Sequence, residues 1–451
     1  MTFLYDNFMA MTAFDIGIWL SGFMIVLVVL GVRVAFAAAF IGLLGLILIM
    51  SQRMGFERGF VIAIKLAGTV PHSKSTTYAL SLIPTFILIG YLAYYAGLTQ
   101  ALFEAAKRWV GWLPGGLGVA TVFATAGFAA VSGASVATSA VFARIAIPEM
   151  LKLGYDKRFA AGVVAAGGTL ASLIPPSAIL VIYAIIVEQS VGQLLLAGFL
   201  PGAFSALIYA SLVILLAKFR KDLGPPVGGF TWRQRFESLP GALPIAAVVL
   251  IIIYSIYFGW GTPTEAGALG AFVVLVMALW KGMRWEQLKS ALMESAKLTV
   301  MIFTIIWGVL LYVRFLGFAD LPGVFADFVA GLDQPRIVTL LMILGVYAIL
   351  GMFMDAIGML LLTLPVVYPA VIAMGYDPIW FGIIVVKMAE LCLITPPIGL
   401  NCFVVAGVRP DISVQDVFRG ASPFFVADAL TIAALIAFPE IVLWLPRLMN
   451  S

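Results

Sequence analysis

Long blocks of apolar residues, rather than an alternating or one-faced pattern, dominate the chain. A helix needs about 20 apolar residues to cross the hydrocarbon core of a bilayer. That ruler predicts spans near 16–31, 34–50, 78–97, 159–187, 194–217, 242–258, 264–280, 298–318, 379–408 and 422–445. Two blocks, 117–148 and 337–373, are too long for one simple span. Small and polar residues interrupt them near their middles, Ser132-Gly133-Ala134-Ser135 in the first and Met354-Asp355-Ala356-Ile357-Gly358 in the second. Each is predicted to be two half-length helices meeting at a tip. Such re-entrant hairpins are tolerated at membrane depth only where protein or a watery cavity covers the backbone. The expected fold class is an all-α integral membrane protein.

Composition agrees with the pattern. Apolar and aromatic residues make up 63% of the chain and charged residues 11%, against roughly 45–50% and 25% in a soluble domain. The net charge of +4 is a weak lever for binding a polyanion, which excludes nucleic acid as the partner. A single histidine, His72, and two cysteines, Cys392 and Cys402, leave too little for a zinc site, a haem pocket, a disulfide framework or a Ser-His-Asp triad. The chain is not expected to be an enzyme. Val70-Pro71-His72-Ser73-Lys74-Ser75 reads as a loop, and both cysteines read as small packing residues. Met1 to Asp15 carries Asp6 and Asp15 but no Lys or Arg, unlike the basic start of a cleaved signal, so the first apolar run is expected to be a retained helix.

Loop charge sets orientation. Lys218, Arg220, Lys221, Arg233 and Arg235 place the central loop, 218–241, in the cytoplasm, as Lys281, Arg284, Lys289 and Lys297 do for the next long one. The turn Trp260 to Glu265 then lies outside, and so does the segment with Asp320, Asp327 and Asp333 against a lone Arg336. Residues 51–77 fall outside by span count yet carry Arg53, Arg58, Lys65 and Lys74. An interfacial helix is expected there.

The chain also repeats itself. Gly154-Tyr155-Asp156 recurs as Gly375-Tyr376-Asp377, Pro175-Pro176 as Pro396-Pro397, and Pro148 as Pro369, all at an offset of 221 (375 − 154, 396 − 175, 369 − 148). The two expected hairpins fall in the same register. The halves are 1–217 and 242–451, each with about five spans and one hairpin. An odd number of spans turns the second copy upside down. Flanking charge agrees: Lys152, Lys157 and Arg158 surround the first Gly-Tyr-Asp, whereas Asp377 has no close basic residue. An inverted repeat is a signature of secondary transporters, whose site lies near the midplane where the halves meet.

Each mid-span proline pair breaks its helix and frees carbonyl oxygens, so 159–187 and 379–408 are expected to be broken helices. Freed carbonyls, with the hydroxyls of Ser172 or Thr395, offer hard ligands for a small cation. The hairpin tips, Ser132 and Ser135 on one side and Gly351 to Gly358 on the other, would complete two such sites. Helix N-termini at the breaks suit an anionic group such as a carboxylate. Among the few charges in the apolar blocks, Lys387 and Glu390 are expected to pair, Asp355 to face the cavity or a cation, and Arg144 and Arg314 to snorkel toward span ends.

These residues resemble the large membrane subunit, the DctM type, of tripartite ATP-independent periplasmic (TRAP) transporters, over nearly the whole chain. The resemblance rests on Ser132-Gly133-Ala134-Ser135-Val136-Ala137-Thr138, Gly154-Tyr155-Asp156 with Ala165-Ala166-Gly167-Gly168-Thr169-Leu170, and Ile174-Pro175-Pro176-Ser177. Gly261-Thr262-Pro263-Thr264-Glu265-Ala266-Gly267, Gly351-Met352-Phe353-Met354-Asp355 and Thr395-Pro396-Pro397-Ile398-Gly399 add to it. It implies an elevator-type, sodium-coupled importer of small carboxylates in the bacterial inner membrane. A periplasmic binding protein would feed it, and a small four-helix membrane subunit would complete it. The alternative is a stand-alone sodium/anion symporter of similar architecture that needs no binding protein. Carried to matching positions, the resemblance assigns one Na⁺ site to Ser132, Ser135, Ala171, Ile174 and Pro176, and a second to Gly351, Cys392, Thr395 and Ile398. Gly133, Ala134, Ser172, Asp355 and Gly358 would line the substrate cavity. The transport domain would cover about 98–187 and 319–408, with the unbroken spans as scaffold. Family members often carry glycine where Ala171 and Cys392 stand, and serine where Ala134 stands.

Overall fold

The computed structural model describes residues 11–332 and 334–449; Asp333, used above for orientation, lies outside them. In chain order the helices are α1 (Ala13–Val29), α2 (Val34–Met54), α3 (Phe56–Ser75), α4 (Leu82–Tyr95) and α5 (Leu98–Val110). Then follow α6 (Gly116–Ser132), α7 (Ser135–Lys152), α8 (Lys157–Thr169), α9 (Ala178–Ile186) and α10 (Val191–Phe219). The second half holds α11 (Trp232–Tyr257), α12 (Pro263–Trp280), α13 (Trp285–Phe318), α14 (Leu321–Ala330) and α15 (Arg336–Gly351). It ends with α16 (Ala356–Ala373), α17 (Pro378–Cys392), α18 (Leu400–Val408), α19 (Val414–Ala437) and α20 (Glu440–Met449). No strand occurs among the described residues. Eight helices there are long and apolar enough to cross a membrane, so the protein is an all-α, multi-pass membrane protein.

The element order repeats as the sequence does. A helical hairpin (α6–α7, then α15–α16) leads to a Gly-Tyr-Asp turn, a helix, a Pro-Pro break and a short helix (α8–α9, then α17–α18). Gly154 and Gly375 both adopt φ +81°, the left-handed conformation that ends a helix. Helix starts follow capping chemistry. Thr12 with Asp15, Thr231 with Gln234 and Thr262 with Glu265 form reciprocal capping boxes.

Two compact units divide the chain. One comprises residues 1–80, 186–188 and 300–378. In it, a Cβ added to Gly42 would lie 2.5 Å from the Tyr312 nitrogen, and one on Gly308 would meet the Ala35 carbonyl. Small residues thus bring α2 and α13 into backbone contact. The other unit comprises 81–185, 189–299 and 379–451. There Gly162 of α8 and Gly420 of α19 meet the same way, a Gly162 Cβ falling 2.1 Å from the Gly420 carbonyl carbon. Asp416 at the start of α19 holds Lys157 at 3.2 Å and Arg158 at 2.8 Å. The Tyr155 hydroxyl accepts from Leu117 N and donates to the Pro225 carbonyl, tying the first Gly-Tyr-Asp turn to the hairpin start and to the central loop.

Some elements depart from expectation. His72 does not sit in a loop, because α3 runs through it to Ser75, and its carbonyl accepts from Thr76 N. The segment 51–77 does form a separate helix. The span expected at 422–445 is two helices, since α19 starts at Val414 behind the Ser413 cap and ends before Phe438-Pro439. The span at 78–97 opens with a 3-10 turn, Tyr78–Ser81. Helix α5, basic at its end, was not read as an element; Lys107 there pairs with Glu104 and Glu149, each at 3.3 Å.

Candidate functional site

The site is built where the tip of the first hairpin meets the first broken helix, both in one unit. Helix α6 ends at Ser132, Gly133 turns the chain with φ +58°, Ala134 is extended, and α7 begins at Ser135. Opposite, α8 gives way to a 3-10 turn, Leu170–Ser172, and regular structure stops until Ala178. The cause is chemical. In an α-helix the carbonyls of Ala171 and Ser172 would accept from the amides of residues 175 and 176, and prolines have none. The Ser172 carbonyl takes the Ser177 hydroxyl instead.

The tip fits this gap closely. Ala178 N donates to the Gly133 carbonyl at 3.3 Å, and a Cβ on Gly133 would fall 2.4 Å from the Pro176 oxygen. Only glycine satisfies both the positive φ and that approach. Ser135 Oγ lies 2.5 Å from Ser172 Oγ, and Ser132 Oγ lies 2.9 Å from Thr138 Oγ1. Ser132, Ser135, Ser172 and Ser177 expose 7% or less of their surface. Helix α10 packs on the same break, with Gly198 against the Leu173 carbonyl and Gly202 against Ile174. Ile87, Tyr91 and Tyr94 of α4 line a small cleft together with Ser132, Ala134 and Ala137.

The structure therefore gathers Ser132, Gly133, Ala134, Ser135, Ala171, Ser172, Ile174 and Pro176 about one junction of uncharged oxygens. Thr138, Ser139 and Ser177 join them and were not anticipated. Ser139 Oγ is buried without a hydrogen-bond partner. A weak signal existed: Thr138 lies one turn beyond Ser135, and Ser177 directly follows the prolines.

The second break obeys the same rule. Cys392 and Leu393 lose their donors to Pro396 and Pro397; Thr395 N reaches Cys392 O at 3.3 Å and Asn401 N reaches Leu393 O at 3.0 Å. The Thr395 hydroxyl donates to its own helix at Leu391 O, 2.6 Å. Gly399, φ +37°, starts α18, and Ile398 is 37% exposed. Gly351, Asp355 and Gly358 belong to the other unit. Asp355 serves there as N-cap of α16, accepting from Gly358 N at 2.9 Å. In that unit Arg314 stacks over Phe318. Lys387 and Glu390 pair as expected at 2.7 Å, and Asp428, which sequence reading passed over, joins them.

Comparison with known proteins agrees with this architecture. The profile of the tripartite ATP-independent periplasmic transporter, DctM component, matches residues 21–441. The C4-dicarboxylate TRAP transporter large permease protein DctM of Pseudomonas aeruginosa is 36% identical over 388 residues, 86% of this chain and 89% of that one. The sialic acid TRAP transporter large permease protein SiaM of Vibrio cholerae is 30% identical over 420 residues, 93% and 95% of the two chains. The crystal structure of the Alcanivorax borkumensis YdaH transporter is similar in fold, with a TM-score of 0.57 at 14% identity, over 84% of this chain and 90% of that one. These relatives are transport proteins, not enzymes, and the chain belongs to the DctM family of TRAP transporter large permeases.

Proposed function

We propose that the chain is the membrane permease of a sodium-coupled importer of small organic acids, working by an elevator motion. The observation that carries the proposal is the hairpin tip seated on the broken helix. Two strictly local features, a glycine turn and a proline pair, concentrate uncharged hydroxyl and carbonyl oxygens where a membrane protein ordinarily keeps carbon. Unwound backbone of this kind coordinates Na⁺ in secondary transporters. Ser132, Ser135, Ala171, Ile174 and Pro176 would hold one ion, and the second break would contribute Cys392, Thr395 and Ile398 to another.

An acidic substrate suits the same junction. Helix α7 begins without a side-chain cap, so its positive end is open to a carboxylate, whereas Asp355 already fills that place on α16. The relatives' names, for C4-dicarboxylates and sialic acid, point to the same class. A periplasmic binding protein would deliver the acid, and a small membrane subunit would complete the permease in the bacterial inner membrane. The moving body would include the first hairpin, both broken helices and also α10 and α19. Those last two share buried hydrogen bonds and an ion pair with the broken helices, and breaking a buried pair typically costs about 3–5 kcal/mol.

The test is uptake into proteoliposomes holding the chain with its membrane subunit, supplied with its binding protein. Replacing external sodium by choline should stop uptake, and omitting the binding protein should do the same. Full uptake in choline would reject sodium coupling. Full uptake without the binding protein would favour the stand-alone symporter.

A further inference from the structure

Helix α11 carries an exposed track that the transport reading leaves unused. Trp232, Phe236, Leu243, Leu250 and Tyr254 are all exposed. Their spacings of 4, 7, 7 and 4 residues set them on one helix face. Aromatic clusters mark both ends of the track. At its start the rings of Trp109, Trp232 and Phe236 stand 5.7, 6.3 and 6.4 Å apart. At its far end Tyr254 stacks on Phe258 at 5.5 Å, and Phe258 on Trp260 at 5.8 Å. Phe236 and Tyr254 are 18 residues apart (254 − 236), about 27 Å of helix. That is close to the roughly 30 Å of a hydrocarbon core. Since aromatic side chains gather at both bilayer interfaces, the first cluster lies at headgroup level.

Charge at that level is uneven. Lys107 is held by Glu104 and Glu149, and Arg233 by Glu237 at 2.7 Å. Arg108 and Arg235 pair with no carboxylate among the described residues. Arg108 Nη1 donates to the Gln234 carbonyl at 3.1 Å, directly beside Arg235, and Trp109 Nε1 donates to the Arg235 carbonyl at 3.1 Å. The Arg235 guanidinium lies over the Trp232 ring, 4.9 Å from its centroid. Its Nε is buried with no hydrogen-bond partner, which is costly for a charged donor. Two guanidiniums without a counter-charge are thus held against one turn of α11.

We propose that this corner binds an anionic phospholipid, its phosphate on Arg108 and Arg235 and an acyl chain along the exposed track. A planar guanidinium matches phosphate oxygens, and basic pockets at the cytoplasmic ends of spans take anionic headgroups. The basic residues Lys218, Arg220 and Lys221 assign this end of α11 to the cytoplasmic side. A free phosphate would use the arginines but leave the track bare. An apolar path as long as the hydrocarbon core, with uncompensated positive charge only at its start, has the chemistry of one lipid molecule in reverse. Bound there, the headgroup would join α5 to the first turn of α11.

The test titrates the full-length protein in detergent with phosphatidylglycerol or phosphatidylcholine and reads bound lipid by native mass spectrometry. Wild type should hold phosphatidylglycerol more tightly, and inorganic phosphate should not displace it. Arg108→Gln/Arg235→Gln should bind phosphatidylglycerol roughly 25-fold more weakly, about fivefold per arginine, with phosphatidylcholine binding unchanged. Should the double variant not fold, Arg108→Gln alone must show the fivefold loss. Equal wild-type affinity for the two lipids, undiminished phosphatidylglycerol binding in the variants, or displacement by inorganic phosphate would each overturn the proposal. So would loss of the bound lipid when the small membrane subunit is added, which would give this face to a protein partner.

Discussion

At the scale of single residues, the site rests on donors that proline lacks and on room that glycine leaves. The loss of amides at 175, 176, 396 and 397 is legible in the sequence, and with it the carbonyls of Ala171 and Cys392 as ligand candidates. Which hydroxyl faces which is not legible. Ser135 and Ser172 are 37 residues apart and meet only when the tip is seated. Serine and threonine in helices often bond their own backbone, as Thr395 does, so Ser139 carries no distinct signal and Thr138 and Ser177 only the weak one of their spacing. Asp428 was hidden by the apolar run around it. Two glycine substitutions separate the site from an ordinary helix end. Gly133→Val should abolish uptake, because its side chain would collide with the Pro176 carbonyl. Gly154→Ala meets no atom within 4 Å; its positive φ should cost about 1–2 kcal/mol of stability while uptake per folded molecule persists. Equal loss of uptake in both would remove the special role of the tip.

At the scale of elements, the hairpins and broken helices were readable because their interruptions are chemical: small polar residues mid-block and paired prolines. Helix ends were less so. Helix α19 starts eight residues earlier than its apolar run (422 − 414), since Asp416 is accommodated by Lys157 and Arg158 of another helix. No local pattern announces that pairing. The break itself invites a test. In Pro175→Ala/Pro176→Ala the new amides can close on the carbonyls of Ala171 and Ser172 and continue α8 into α9. Losing partners worth ~1–3 kcal/mol should raise the half-saturating sodium concentration roughly 5- to 150-fold at unchanged expression. An unaltered sodium titration would show the unwinding to be a packing kink.

At the scale of the whole molecule, the duplicated order of elements was visible in the offset of 221, whereas the division into two compact units was not. That division puts the first hairpin with its broken helix but the second hairpin in the other unit, because it depends on long-range packing. Motion is testable within one unit. Tyr91 of the unbroken α4 and Ala137 of the hairpin line one cleft. With Cys392 and Cys402 replaced by alanine, a disulfide between Tyr91→Cys and Ala137→Cys should stop uptake until it is reduced. Uptake that continues with the link complete would contradict an elevator. The central claim, that the tip and the break form a sodium site, is tested most directly by a sodium titration of uptake for wild type and Ser132→Leu at matched expression. The account predicts a half-saturating concentration raised roughly 5- to 150-fold, as expected for ~1–3 kcal/mol of lost ligand interactions. An unchanged half-saturating concentration, with only the amount of protein reduced, would contradict it.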